Sequence, residues 1–439
     1  MPKVLQAVRG MNDILPEEAE VWEDLEERLV FWLKSYGYRP LRLPVVEPTS
    51  LFRRAIGEST DIVEKEMYAF TDNLNGEELT LRPEGTAGCV RAAIQHNMAA
   101  QVPKRLYYSG PMFRHERPQK GRYRQFNQFG VESLGFSGPD IDAEHILMLA
   151  RLWDELGISD LVSLQLNNLG EVEERTCYRE ALVTWLAARQ ERLDEDSRRR
   201  LHSNPLRILD SKNPETQKLC RQAPQLVDYL GEKSRHHLKS VERFLRDAGV
   251  EYTVNPNLVR GLDYYNLTVY EWVTNSLGAQ GTICAGGRYD GLFAQLGGKP
   301  TPAAGFAIGQ ERLLGVLANA GKLPEATTPN VYMAHQGEAA QRLAFSTAEL
   351  LRDESLRVIV HCGGGGFKAQ IKKADQSGAD FAVIIGGDEV TDNTAQLKPL
   401  REMSGLEGSS YSSRQQCIPV ARLADAIYDY YIGQSDDSD

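Results

Sequence analysis

Long apolar runs, paired cysteines and an excess of basic charge are all missing from this 439-residue sequence. No apolar stretch approaches the ~18 residues that cross a bilayer as a helix, which argues against a membrane-spanning protein. The opening Met1-Pro-Lys-Val-Leu-Gln lacks the apolar core of a secretory signal. The six cysteines (Cys89, Cys177, Cys220, Cys284, Cys362 and Cys417) are scattered, with no C-x-x-C pair. Neither a disulfide framework nor a zinc site is indicated. A soluble, reduced, cytoplasmic protein is expected. The formal net charge of -11 and pI of about 5.4 argue against a general nucleic-acid coating protein. A local basic groove stays open, because steering depends on where charge sits.

What remains is the composition of a core-forming chain: 41% hydrophobic and 25% charged, with 38 Gly and 20 Pro. That excludes wholesale disorder, collagen and coiled coil. At about 150 residues per domain the length corresponds to two or three domains. Residues 16–36 read as an amphipathic helix: Pro16 suits the first turn, Glu17, Glu18 and Glu20 complement the dipole, and Trp22, Leu25, Leu29, Trp32 and Leu33 fall at helical spacing. Gly37 ends it, and Arg39 to Val46 reads as a strand. Further strand-like segments at 78–82, 105–113, 125–134 and 264–273 are not joined in a strict βαβ rhythm. They predict an α+β fold, a largely antiparallel sheet with helices packed on it.

Residues 170–250, rich in Glu, Arg, Leu and Gln, show helical periodicity and read as an insertion that divides the α+β domain into 1–169 and 251–325. A linker is expected around Gly321, Pro324 and Pro329. Beyond it Val331-Tyr-Met, Arg357-Val-Ile-Val and Phe381-Ala-Val-Ile-Ile predict a small α/β domain with parallel pairing over 326–429. Residues 430–439 are assigned to a polar, disordered tail.

One window is locally basic. Lys104, Arg105, Arg114, Arg117, Lys120, Arg122 and Arg124 are opposed only by Glu116. Read as strand, loop, strand, this window brings Arg114 and Glu116 to one strand end and Arg122 into the loop. Period two puts Phe126, Gln128 and Glu132 on one face of the second strand. Guanidinium forks bind phosphate and a ring can stack on a base, so a nucleotide site is one reading. From charge alone, an ordinary hairpin with a solvated basic loop is the favoured one. Glu84 and Thr86 lie where a strand gives way to a helix, which by itself indicates a helix start. Arg260, Asp263, Tyr264 and Tyr265 lead into a strand, and adjacent tyrosines are usually packing residues. Arg312 falls in the opening turn of a helix after Gly309, where a helix N-terminus suits phosphate.

Taken together, these segments resemble the class II aminoacyl-tRNA synthetases, and among them the histidyl-tRNA synthetases of bacterial type. Arg42-Leu-Pro-Val-Val-Glu-Pro is similar to the first class II signature, Phe113-Arg-His-Glu with its basic loop to the second, and Gly305-Phe-Ala-Ile-Gly-Gln-Glu-Arg-Leu to the third. Leu258-Val-Arg-Gly-Leu-Asp-Tyr-Tyr and Ala285-Gly-Gly-Arg-Tyr-Asp resemble segments particular to the histidine enzymes. The likeness runs from Arg9-Gly-Met-Asn-Asp through the C-terminal domain. One departure is visible: Gln310 stands where the family commonly has a small or apolar residue. It is expected to alter packing or add a hydrogen bond, while Arg312 is retained.

The resemblance implies ATP-dependent charging of tRNA(His) with L-histidine through an adenylate, by a cytoplasmic homodimer without a bound prosthetic group and with Mg2+ accompanying ATP. It assigns Arg114 to the α-phosphate, Arg122 and Arg312 to the outer phosphates or adenine face, Phe126 to stacking and Glu116 to placing the adenine. Glu84, Thr86 and Gln128 would hold the α-ammonium, and Glu132 and Tyr265 would read the imidazole between Tyr264 and Tyr289. Arg260 would bridge carboxylate and phosphate where many class II enzymes place a metal, and no side chain is assigned as a metal ligand. An ion pair of Arg260 with a neighbouring carboxylate is the structural alternative.

The C-terminal segment resembles the family's anticodon-binding domain. Its run Gly363-Gly-Gly-Gly-Phe-Lys-Ala-Gln-Ile-Lys-Lys lacks P-loop order. Lys368, Lys372 and Lys373 fall on roughly one helical face for RNA phosphates, or form a solvated face. Two further alternatives are a non-catalytic relative of the type of the ATP phosphoribosyltransferase regulatory subunit and a tRNA-binding sensor. The retained Arg260, the helical insertion and the C-terminal domain argue against the first, and the intact set Arg114, Arg122, Arg260 and Arg312 argues against the second.

Overall fold

The computed structural model describes residues 4–58, 60–98, 103–119, 121–209, 211, 213–278, 281–324, 327–401 and 415–432. Lys120 of the basic window and residues 433–439 of the expected tail lie outside this set. The chain divides into two compact units, Met1–Pro324 and Glu325–Asp439.

In chain order the first unit opens with α1 (Pro16–Ser35), β1 (Arg39–Pro40), β2 (Val46–Pro48), α2 (Thr49–Ile56), β3 (Tyr68–Thr71) and β4 (Glu78–Leu81). Then come α3 (Thr86–Gln95), β5 (Lys104–Phe113), β6 (Gln125–Leu134), α4 (Pro139–Glu155) and β7 (Ser163–Asn168). Four helices follow without a strand between them: α5 (Val172–Ala187), α6 (Glu195–Arg200), α7 (Pro214–Cys220) and α8 (Glu232–Asp247). The unit closes with β8 (Thr253–Val254), β9 (Asn266–Val273), β10 (Thr282–Arg288), α9 (Leu292–Gln295), β11 (Ala303–Gly309) and α10 (Gln310–Asn319).

An eight-stranded sheet in the order β1-β5-β6-β11-β10-β9-β7-β8 is the frame of this unit. Its six central strands are antiparallel, and only the two-residue edge strands β1 and β8 pair in parallel. Helix α1 packs Leu25, Leu29, Trp32 and Leu33 inward, the i, i+4, i+7, i+8 stripe of an amphipathic helix, with Pro16 in its first turn. These side chains join Val131, Phe306 and Ile308 in one core, on one side of the sheet, where each fully buried aliphatic group contributes about 2 kcal/mol.

Two segments differ from the expected strands. Arg39 to Val46 is not one strand: β1 pairs with β5, whereas β2 pairs with β4 in a separate three-stranded sheet. Pro40 and Pro44 explain the break, because neither can donate to a ladder. Leu258 to Tyr265 is a loop, and pairing begins only at Asn266.

The second unit carries β12 (Val331–His335), α11 (Glu338–Asp353), β13 (Val358–Val360), α12 (Phe367–Gln376), β14 (Phe381–Ile385), α13 (Gly387–Asp392), β15 (Thr394–Pro399), β16 (Gln416–Pro419) and α14 (Leu423–Ile432). Its sheet order is β13-β12-β14-β15-β16, parallel across the first three strands and antiparallel beyond. Residues 430–432, assigned to the tail, belong to α14.

The helical segment is tied to the sheet by a buried charge cluster. Arg288 is fully buried and donates to Asp142 through Nη2 at 2.7 Å and Nε at 3.1 Å, and to Asp290 through Nη1 at 3.0 Å. The Nε2 of His237, on α8, contacts Asp142 at 2.7 Å and Thr268 at 3.1 Å. Burial pushes the Asp142 carboxyl up, but the His237 hydrogen bond and the Arg288 charge outweigh it and hold the group down at about 2. Asp142→Asn is therefore expected to destabilise this unit by about 2–4 kcal/mol in urea unfolding at neutral pH, because it removes the more deeply buried of the two carboxylates paired with Arg288 and leaves only Asp290. The sign with pH follows from a folded pKa below the unfolded 3.8: the stabilisation is complete above that value and is lost as pH falls toward about 2. An amide in place of the carboxyl cannot titrate, so the variant should lack this part of the acid sensitivity.

Candidate functional site

A cavity of about 690 Å³ opens over the polar face of the eight-stranded sheet. The loop between β5 and β6 brings Arg114, Glu116 and Arg122 to its wall, and alternation along β6 adds Phe126 and Gln128. Glu84 just before α3, Thr86 at its start and Arg312 in the first turn of α10 join them, and the loop before β9 contributes Arg260, Tyr264 and Tyr265. Eleven of the residues singled out in the first unit thus share one cavity. The other two, Glu132 and Tyr289, are almost fully buried and do not line it. Lys368, Lys372 and Lys373 are exposed on α12 of the other unit.

The arginine side is built from backbone anchors. Arg114 donates from Nε to the Pro83 carbonyl at 2.9 Å, with its guanidinium carbon 5.2 Å from the Phe126 ring centre. Arg312 donates to the carbonyls of Gly121 at 3.0 Å and Thr282 at 2.7 Å. Arg122 is paired with Glu116, and Arg260 with Glu271. Burial, followed by the neighbouring charges of Arg122 and Arg114, pulls the Arg312 pKa down. Such a cluster is poised for a polyanion, since each guanidinium retains directed N–H groups and a charge that neutral pH does not remove.

The other side centres on carboxylates. Glu84 caps α3, accepting from the backbone N–H of Thr86 at 2.7 Å and of Ala87 at 2.9 Å, with the Tyr264 hydroxyl at 3.4 Å. Below it Glu132 accepts from the Thr86 hydroxyl and the Tyr108 hydroxyl, each at 2.8 Å, and from the Tyr289 hydroxyl. Room for this exists because Gly305 faces Glu132 across the sheet, where an added Cβ would lie 1.9 Å from the carboxylate. Tyr264 and Tyr265 pack with ring centres 4.8 Å apart at a 43° tilt, and Tyr289 meets Tyr264 edge-on at 5.6 Å. The arrangement can hold an ammonium group and a small polar ring.

Several lining residues were not singled out from the sequence: Tyr108, Gln165, Asn255, Glu271, Thr282 and Glu311. Glu311 accepts from the Asn127 backbone at 2.7 Å, and burial raises its pKa to about 6. Glu271 carried a usable signal, a charge between Tyr270 and Trp272 inside a strand. Gln165 carried none, since its place in the site depends on pairing with Glu271 more than 100 residues away.

Burial pushes the Glu132 carboxyl from 4.5 up to about 8, against three hydroxyls that favour the ionised form. With the folded pKa above the unfolded one, this group's contribution to stability is complete below about 4.5 and declines as pH rises toward about 8. Glu132→Gln should flatten that part of the stability–pH profile in thermal unfolding. Glu132→Ala should destabilise by about 2–4 kcal/mol by stranding buried hydroxyls.

The family model for histidyl-tRNA synthetase matches residues 10–313, and that for the anticodon binding domain matches residues 330–428. The histidine–tRNA ligase of Dechloromonas aromatica is 64% identical over 439 residues, covering 100% of this chain and 99% of that protein. That of Aromatoleum aromaticum is 61% identical, covering 100% and 98%. The crystal structure of apo histidyl-tRNA synthetase from S. aureus superposes with a TM-score of 0.80 at 33% identity, covering 97% of this chain and 100% of that one. With a pocket of arginines on one side and hydroxyl-bound carboxylates on the other, and with these matches along nearly its whole length, the chain belongs to the histidyl-tRNA synthetase family.

Proposed function

We propose that this chain ligates L-histidine to tRNA(His) in two steps at the cavity of its first unit, working as a cytoplasmic homodimer. The observation that carries the reading is the juxtaposition, in one cavity, of four guanidinium groups beside a stackable ring and of the buried carboxylate of Glu84 beside Tyr264. In the first step a histidine carboxylate oxygen attacks the α-phosphorus of ATP, the bond to the β-phosphate oxygen breaks, and pyrophosphate leaves. In the second, a hydroxyl of the 3′-terminal adenosine attacks the acyl carbon and AMP leaves.

The residue roles are those that the family resemblance implies. Arg114 holds the α-phosphate beside Phe126, on which adenine stacks, with Glu116 placing the base and Arg122 and Arg312 taking the outer phosphates. Magnesium arrives with ATP as part of the substrate, liganded by phosphate oxygens and water. Glu84, Thr86 and Gln128 receive the α-ammonium. Glu132 and Tyr265 read the imidazole between Tyr264 and Tyr289, and a site built on polar groups rejects side chains that leave those groups unpaired. Arg260 bridges the carboxylate and the α-phosphate as negative charge grows there. Its pairing with Glu271 fits the structural alternative as well, so the measurement below must separate the two.

Histidine-dependent exchange of pyrophosphate into ATP tests the reading directly. Folded protein supplied with Mg2+ and histidine that supports no exchange would refute it, and would favour a non-catalytic relative. Arg260→Ala should slow adenylation by roughly 10²–10³-fold, the scale of one lost preorganised stabiliser. Transfer from preformed adenylate should change much less, as resolved by single-turnover kinetics. We assign the second unit to anticodon binding, with Lys368, Lys372 and Lys373 on tRNA phosphates. Replacing all three with alanine should weaken tRNA binding and reduce the slope of log affinity against log salt by about one per lost contact.

A further inference from the structure

Arg260 does not stand alone in the cavity wall. Its Nη1 pairs with Oε1 of Glu271, on β9. The other oxygen of Glu271 accepts from the Thr282 hydroxyl at 3.0 Å, and the Thr282 carbonyl accepts from Nη1 of Arg312 at 2.7 Å. Arg312 in turn donates to Gly121, in the loop that carries Arg122. One chain of polar contacts thus runs from the arginine on the amino-acid side to the arginines on the phosphate side.

Three features separate this pair from an ordinary ion pair. Each side chain is only 17% exposed, so water screens it little and solvent does not readily replace either partner. Both oxygens of Glu271 are occupied, one by Arg260 and one by Thr282, so the carboxylate is committed to protein groups. Arg260, by contrast, is held through Nη1 on one side and by the Tyr265 ring 5.5 Å from its guanidinium carbon, while its Nε is buried without a hydrogen-bond partner. A guanidinium held at Nη1 by one carboxylate oxygen is not bound in bidentate fashion, and its donors outnumber the protein carboxylate oxygens on it, which suits a further carboxylate or phosphate. The sheet leaves space beside it: Glu271 is in register with Ala285 on β10, and Ala285 with Ala307 on β11, and both alanines line the cavity.

We propose that Glu271 is a positioning residue for adenylation, fixing Arg260 by one nitrogen so that its remaining donors are set for the anionic substrates. Thr282 completes the device by fixing Glu271 and sharing its backbone with Arg312. This inference rests on the adenylation reading above, and it adds a residue that touches no substrate. Without Glu271 the guanidinium keeps its charge but loses its orientation. The deficit therefore belongs to the turnover of the adenylation step, and only weakly to the affinity for ATP.

The test is a double-mutant cycle in full-length protein, read by single-turnover adenylate formation and by transfer from preformed adenylate, with thermal unfolding of every variant. Wild-type exchange activity establishes the adenylation reading first; its absence would sink that reading and leave no role for Glu271 to support. With it in hand, Glu271→Ala should lower the adenylation rate between about ten- and a hundredfold, the penalty of a group displaced by about an ångström. The KM for ATP and the transfer rate should stay within about threefold of wild type on the same argument. Glu271→Gln should recover much of the loss, because its carbonyl still accepts from Arg260 and the Thr282 hydroxyl can accept as well as donate. It also guards against an alanine variant that fails to fold. In the Arg260→Ala background either Glu271 substitution should cause little further loss, since a residue acting through Arg260 has nothing left to position. An equal loss in both backgrounds would overturn the proposal. So would a Glu271 variant that unfolds earlier yet adenylates at the wild-type rate, the behaviour of a purely structural pair.

Discussion

A carboxylate buried under the floor of a pocket must be satisfied by its neighbours, and at Glu132 that requirement organises the first unit. A buried carboxyl without hydrogen-bond partners is penalised in either protonation state and most when ionised, so hydroxyls have to converge on it. They come from Thr86 at the start of α3, Tyr108 on β5 and Tyr289 just beyond β10. Meeting at one point fixes how helix and strands approach. Two glycines show how tight the approach is. A Cβ at Gly305 would collide with the Glu132 carboxylate, and one at Gly130 would lie 2.1 Å from the Tyr108 ring. Nothing larger fits between the ladder and the buried polar group.

Across the cavity the constraint has the opposite sign. Arg114, Arg122, Arg260 and Arg312 would repel one another in an enclosed space without anions among them. Glu116 and Glu271 each pair with one member, while Arg114 and Arg312 are held by backbone carbonyls. A polyanionic nucleotide entering such a site finds donors that are already oriented, so little reorganisation is needed as charge develops. The same interior charges explain why removing one partner is expected to do more than subtract a contact.

How much of this could be read from residues alone depends on the range over which each feature is decided. Helix α1 and strand β6 were legible because periods of 3.6 and 2 are local, and Phe126 and Gln128 followed from the second. The helical character of 170–250 was legible for the same reason. The break in Arg39–Val46 was foreshadowed by Pro40 and Pro44, but the partner strands were not, since β5 and β4 come from different sheets. The saturation of Glu132 and the Glu271–Thr282 link were out of reach. They depend on which strands become neighbours, and β9 and β10 are brought beside β7 and β11 by tertiary topology. That the segments around Arg114, Arg260, Ala285 and Arg312 belong to one site came from their resemblance to a family, and the cavity brings them together, whereas Arg42–Pro48 lies outside it.

The departure at Gln310 has a physical reading of the same kind. Along α10, Glu311 and Arg312 line the cavity, whereas Gln310 is fully buried and donates from Nε2 to Glu26, on α1, at 2.9 Å. Successive helical residues are rotated by roughly 100°, so a side chain two positions before Arg312 faces away from the cavity. The substitution therefore bears on how α1 is anchored to the back of the sheet, and Arg312 keeps both of its backbone anchors. One oxygen of Gln310 is buried without a partner, an arrangement that opposes part of what the new hydrogen bond contributes. Glutamine at this position is thus a matter of helix packing, close in sequence to the cavity and turned away from it.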